Sequence, residues 1–273
     1  MRDGTLPVQA GAPILSTRAA ATNQSSGDEA FSARRRTARV AGFWYLALAL
    51  TGMVGFLLIR PRIYVDGDAA GTLANLVQRV GLASAGLVFE LAIVLTQALA
   101  AVWLYKLFRS ANRTAAWALA VFGIANAVVI LMSAGFMATA LTVSSDFSLA
   151  PGGDAAATVQ LLYQLSSNSW GVGSLFFGLW LIPMGYVASG SGLMPKWLGR
   201  ILIIGGVGYA LSAFVNYGLP GAPAWLGDGL SLPATVGEFW MIGYLLLKGI
   251  RRSDQLPVGP LTPSTKWVEA RQN

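Results

Sequence analysis

The sequence contains no cysteine and no histidine. The first absence excludes disulfides, thiolate nucleophiles and cysteine-ligated metals. The second removes imidazole, and with it a serine–histidine catalytic arrangement, a histidine general base, and histidine ligation of zinc or haem. Charge is scarce as well. Asp, Glu, Lys and Arg make up 11% of the 273 residues, against about 25% in a soluble domain. Such a chain cannot cover a water-facing surface with charge. In its place are hydrophobic residues, 55% of the total, gathered into six long apolar runs.

A helix rises about 1.5 Å per residue, so about 20 apolar residues cross the hydrocarbon core. The runs predict spans at about 41–59, 83–105, 116–142, 170–189, 200–219 and 232–248. The third is long enough to tilt or to project. The expected fold is an all-α polytopic integral membrane bundle of six transmembrane helices, occupying 34–252. Residues 1–33, without apolar periodicity, are expected to be a disordered cytoplasmic tail, with no signal peptide. Residues 253–273 are expected to be a second cytoplasmic tail.

Basic residues set orientation. With the N-terminus inside, only Arg60, Arg62 and Arg79 of the 19 Lys and Arg fall in outer loops. The rest flank inner span ends or lie in the tails, including Arg34, Arg35, Arg36, Arg39, Lys106, Arg109, Arg113, Lys196, Arg200, Lys248, Arg251 and Arg252. Both termini are therefore expected in the cytoplasm of a bacterial cell. The same placement accounts for the net charge of +7 without nucleic acid. Trp44, Trp103, Trp117, Trp170, Trp197 and Trp225 fall near span ends, where an aromatic belt belongs.

Two outer segments share a pattern, Gly67-Asp68-Ala69-Ala70 and Gly153-Asp154-Ala155-Ala156. A carboxylate ahead of an Ala-rich stretch accepts the first free helix N–H groups. Each is expected to open a short interfacial helix in an outer loop. Ser231-Leu232-Pro233 reads as the start of the sixth span, and Pro183 as a kink in the fourth. The small residues Gly178, Gly185, Gly205, Gly206 and Gly208 read as close helix packing.

Glu90 and Glu238 are the two ionisable residues well inside spans. A carboxylate in lipid is costly and must face the bundle, a wet cavity or a partner. Both lie roughly 10 Å below the outer span ends by helical rise. Asn216, Asn168, Arg60 and Arg79 are placed to join them in an outward-facing polar pocket. Gln97 and Asn126 read as interhelical polar contacts. Catalytic patterns are absent. Ser84 has Leu82 where a nucleophile elbow needs glycine. Asp66 and Asp68 lack the distal Glu of a calcium loop. Gly206-Val207-Gly208 follows no strand and lacks the third glycine of a nucleotide loop.

From about 34 to 252 the chain resembles a bacterial membrane-protein family catalogued as domain of unknown function 4386. The residues that carry the likeness are Arg36-Thr37-Ala38-Arg39-Val40-Ala41-Gly42, Gly67-Asp68-Ala69-Ala70, Phe176-Phe177-Gly178-Leu179-Trp180, Ser191-Gly192-Leu193-Met194-Pro195-Lys196-Trp197-Leu198-Gly199, and Gly237-Glu238. The resemblance implies a multi-pass membrane protein and brings no activity. It also implies acids near Glu90 and at Glu238. A histidine that it implies at the start of span four is replaced here by Asn168 or a neighbour, which argues against a histidine-based proton route.

The leading expectation is a membrane protein that binds or transports a small solute or ion at the polar pocket. A structural or partner-binding subunit, in contact with another membrane protein or a second copy, is the alternative. A membrane-embedded enzyme ranks third, and no cofactor or metal is expected. The bilayer is the one partner the composition requires.

Overall fold

The structure is a computed structural model that describes residues 13–219 and 221–252, with side chains from residue 26 onward apart from 224. Its helices are α1 (Pro13–Gly52), α2 (Arg60–Ile63), α3 (Ala69–Gln78), α4 (Val80–Phe108), α5 (Arg113–Ser145), α6 (Ala155–Gly190), α7 (Lys196–Gly218) and α8 (Ala224–Leu247). A π-helical stretch, Met53–Ile59, joins α1 to α2 without a break. Six helices are long and apolar enough to cross a membrane. The protein is an all-α multi-pass membrane bundle.

The six spans form a ring. Each packs on its neighbours in the sequence, and α8 closes on α1. The α1–α8 seam is the least extensive of the six contacts. One end of the ring carries Arg34, Arg35, Lys106, Arg109, Lys196, Arg200 and Lys248, and is called the basic end below. The other carries the 64–79, 146–154 and 219–223 connections with Asp66, Asp68, Asp146 and Asp154, and is called the acidic end.

The half of the ring toward the basic end is filled. Trp180 is fully buried among Tyr45, Leu104, Leu119 and Leu181. It fits because position 123 is glycine: a Cβ there would strike the indole. α6 and α7 approach closely for the same reason. A side chain on Gly178 would meet the backbone at Gly206 and Ala210, and one on Gly185 would meet the Gly199 carbonyl. With no hydrophobic drive between helices in lipid, such close packing is what holds spans together.

α3 begins as the sequence predicts. Asp68 Oδ1 accepts the Gly71 N–H at 2.8 Å. The helix packs over the acidic end, with Thr72 and Leu76 fully buried. Asp154 likewise accepts the Ala157 N–H at 2.9 Å, but the helix it opens does not stop. Residues 155–190 form one helix of 36 residues, in place of a short interfacial helix and a separate span. The polar run Ser166-Ser167-Asn168-Ser169 suggests a break; it contains no proline or glycine to make one, and the Ser166 hydroxyl bonds inward while that of Ser169 bonds back to the helix.

Two other boundaries and the place of one tryptophan differ from expectation. α1 extends back to Pro13, through much of the segment expected as a disordered tail; Ala19, Ala20, Ala21 and the absence of glycine between Pro13 and Gly27 favour helix. Residues 1–12 and 253–273, the rest of the expected tails, lie outside the described residues. α8 starts at Ala224 behind Pro223, so Pro233 sits inside it. Gly205 and Gly208 of α7 lie against the α8 backbone around residues 230–234, which braces the turn that proline leaves short of an N–H. Trp170 is an interior residue halfway along α6, whereas Trp117, Trp197 and Trp225 are exposed near span ends.

Candidate functional site

Two polar groups of different character occupy the bundle interior. The first is built on Glu90 of α4, which is 6% exposed. Its Oε1 accepts from Ser133 Oγ of α5 at 2.5 Å and from the Trp170 indole N–H of α6 at 2.9 Å. Ser133 Oγ lies 2.6 Å from Ser166 Oγ, and Arg60 Nη2 donates to Ser166 Oγ at 3.0 Å. A hydroxyl has one proton to give. Ser133 gives its proton to Glu90, so Ser166 must donate to Ser133. The bonds run one way, from guanidinium through two hydroxyls to carboxylate.

Arg60 is buried, and its guanidinium lies over the rings of Phe56, Tyr64 and Tyr163 at 5.5, 5.8 and 5.2 Å. It makes no direct ion pair with Glu90. The two side chains line a void of about 20 Å³, room for roughly one water. Arg60 and Glu90 thereby offset each other's charge through shared donors, while four helices are tied at one point.

The second group lines a cavity of about 580 Å³ in the middle of the ring, walled by all six spans. Glu238 of α8 reaches it, and its Oε1 accepts from Tyr45 O–H of α1 at 2.6 Å. That is the carboxylate's one hydrogen bond among the described residues. Gln97 of α4 also lines the cavity, is 0% exposed, and has no partner at either amide atom. Asn126 of α5 lines it too, with no hydrogen bond from its side chain to any described residue. Both amides were expected to be interhelical contacts. They make none to the described residues.

The remaining wall is mostly apolar and aromatic, with Tyr45, Phe56, Trp170, Phe177, Tyr209 and Phe239, and includes Ser167, Ser174 and Thr235. Phe56, Ile93 and Trp170 belong to both the cavity wall and the Glu90 void, so the two groups are adjacent across one layer of side chains. The π-helical stretch supplies Met53, Phe56 and Leu57 to the wall. Its hydrogen bonds span one residue more than those of an α-helix, and Phe56 within it stands against Trp170, ring centroids 4.9 Å apart. Interruptions of this kind are frequent at functional sites.

The other polar residues expected at a pocket lie elsewhere. Arg79 is exposed and donates to the Arg62 carbonyl at 2.9 Å. Asn216 is exposed and packs on Gly227 at the acidic end. Asn168 is exposed, with its backbone carbonyl accepting from Tyr217 O–H at 3.3 Å. Neither arginine reaches a glutamate. Tyr45, Ser133, Ser166 and Trp170 carry the geometry without having been singled out for it. Ser133 and Ser166 had a usable signal, as hydroxyls deep in apolar helices. Tyr45 had none, because a tyrosine in an apolar run reads as core until its opposing helix is known. Among the described residues no cluster of carboxylates could hold a metal ion.

The pattern that defines a family described as a domain of unknown function (DUF4386) matches residues 40–249. An 83-residue stretch is 29% identical to an uncharacterized protein of Archaeoglobus fulgidus, covering 30% of this chain and 48% of that one. The match thus spans about half the length of that relative. No solved structure matches the chain.

Proposed function

The chain belongs to the DUF4386 family, which brings no activity with it, and we propose that the protein binds a small organic solute in the central cavity. The observation that carries this reading is Gln97. A fully buried amide with no partner is unfavourable by about 1–3 kcal/mol, and most buried polar groups in proteins are bonded. Here the residue that carries the unpartnered amide stands in the cavity wall, as do Asn126 and the Glu238–Tyr45 pair. A few convergent polar groups in an otherwise apolar wall, around a volume within the roughly 300–1,000 Å³ range of small-molecule sites, is how such sites are built. An acid inside a span supports the same reading.

The reading includes a setting. The 16 Lys and Arg outside the expected outer loops, of 19 in all, support a bacterial cytoplasmic membrane with the basic end and both termini in the cytoplasm. The Glu90 group supports a structural role for that acid, since its Oε1 accepts from two helices and Arg60 is tied into the same network.

A thermal-shift screen of small organic solutes on the detergent-purified protein tests the cavity. Ala49 lines it, and Ala49→Phe fills part of it. A bound solute raises the melting temperature by mass action. The expected result is a solute that stabilises the wild type and leaves the folded Ala49→Phe variant unmoved. No stabilising solute, or one that stabilises both proteins equally, overturns the reading.

A further inference from the structure

The cavity has a sign. Among its lining residues Glu238 is the one charged side chain, and no lysine or arginine faces it. Tyr45 occupies Oε1. Oε2 has no hydrogen-bond partner among the described residues. Glu90 Oε2 likewise has no hydrogen-bond partner among the described residues; the two acids differ in that Glu90 has a guanidinium within its network. A carboxylate held at membrane depth needs a proton or a counter-charge, and among the described residues no cation lines the cavity beside Glu238.

The wall supports the same sign. The π faces of Tyr45, Phe56, Trp170, Phe177, Tyr209 and Phe239 attract cations through their quadrupoles. The mouth adds a second property. Leu57 of the π-helical stretch and Phe239 of α8 line the cavity yet are 63% and 53% exposed. Both are apolar and lie on the two helices with the least extensive seam. α1 and α8 meet nearer the basic end, where Gly42 packs on Leu245 and Leu246 and Tyr45 bonds Glu238. Beyond that contact the exposed Leu57 and Phe239 give the cavity an apolar margin on α8 and on the π-helical stretch that continues α1.

We propose that the ligand is a lipophilic organic cation, a single positive charge on an apolar or aromatic body, taken up from the bilayer between α1 and α8 and held by Glu238, the ring faces and the Gln97 and Asn126 amides. This rests on the reading of the cavity as a binding site and assigns its chemical class. Gln97 and Asn126 accept through their carbonyls and donate through their amides, so they suit a protonated amine with further polar groups. A quaternary cation needs only the rings and the carboxylate.

The test is equilibrium binding to the full-length protein in lipid nanodiscs, with tetraphenylphosphonium as the probe. Two relatives of the probe separate its properties: tetraphenylborate keeps the shape and reverses the charge, and tetramethylammonium keeps the charge and lacks the body. Saturable binding of tetraphenylphosphonium is expected, weakened at least tenfold by Glu238→Gln and absent for both relatives. Tyr45→Phe leaves the carboxylate with one fewer donor and is expected to bind the probe as tightly as the wild type or more so. This second variant keeps the test open should Glu238→Gln not fold. If tetraphenylborate binds as well as the cation, and Ala49→Phe blocks both, the assigned charge is wrong and the cavity remains a site. If tetramethylammonium matches the full probe, the lipophilic body is wrong. If no probe binds while a neutral solute from the thermal-shift screen does, the cationic class falls and the binding reading stands. If nothing binds in either assay, both fall.

Discussion

Glu90 and Glu238 are the same side chain at membrane depth in the same ring of helices, and they are housed in opposite ways. Glu90 accepts two hydrogen bonds at one oxygen and receives the charge of Arg60 through two serine hydroxyls. Its surroundings hold a void of about 20 Å³. Glu238 accepts one bond, from Tyr45, and lines about 580 Å³ of open cavity with no cation on its wall. The difference teaches that an intramembrane acid does not announce its role by its presence. What separates glue from a recognition group is whether the protein itself has already satisfied it.

The comparison breaks most visibly at Glu90. Glu90→Ala removes the acceptor shared by Ser133 and Trp170 and strands the charge of Arg60 among aromatic rings. The expected loss is about 3 kcal/mol of stability, the scale of buried donors left unmet beside a charged group. It is measured as an early melting transition of the purified protein, with less recovered as a single species in gel filtration. A Glu90→Ala protein that melts with the wild type would remove the distinction between the two acids.

How much of this was legible in the chain follows from what hydropathy encodes. Six spans, their order and the Asp68 and Asp154 caps are local properties, and the helices form where those signals lie. The α6 continuity was obscured because Ser166-Ser167-Asn168-Ser169 looks polar, although Ser166 turns inward to Ser133 and Ser169 bonds back to the Leu165 carbonyl. The start of α8 was obscured because Pro233 is a stronger local signal than Pro223. The closure of α8 on α1 is not local at all. Without it Tyr45 cannot be matched to Glu238. Both acids were visible as costly residues; which one had been satisfied became visible only with the helix order.

Gln97 sharpens the contrast from the cavity side. Its amide is buried without a partner, so replacing it with a side chain of similar size and no polar atoms removes an unmet cost. Gln97→Leu is expected to raise stability by about 1 kcal/mol in the absence of ligand, seen as a later melt. The same variant is expected to lose affinity for any ligand that bonds the amide. A destabilised Gln97→Leu protein would mean that the amide is already satisfied in the folded membrane protein, and the cavity would lose the observation that identifies it as a site.

The smallest expected effect is the most discriminating. Glu238→Gln keeps an acceptor oxygen for the Tyr45 hydroxyl and removes only the charge. Interhelical hydrogen bonds in membranes contribute about 0.6 kcal/mol on average, and this one can persist in the variant, so the change in stability should fall below that figure. Loss of an uncompensated charge could even offset the weaker bond. Binding is where the substitution acts, because the ligand loses the one counter-charge the cavity offers. Stability and binding are thus expected to separate at Glu238, whereas at Glu90 stability alone fails first. A Glu238→Gln protein that melts as early as Glu90→Ala would place both acids in the same structural class, and the open volume beside Glu238 would then be a consequence of helix packing with no recognition attached to it.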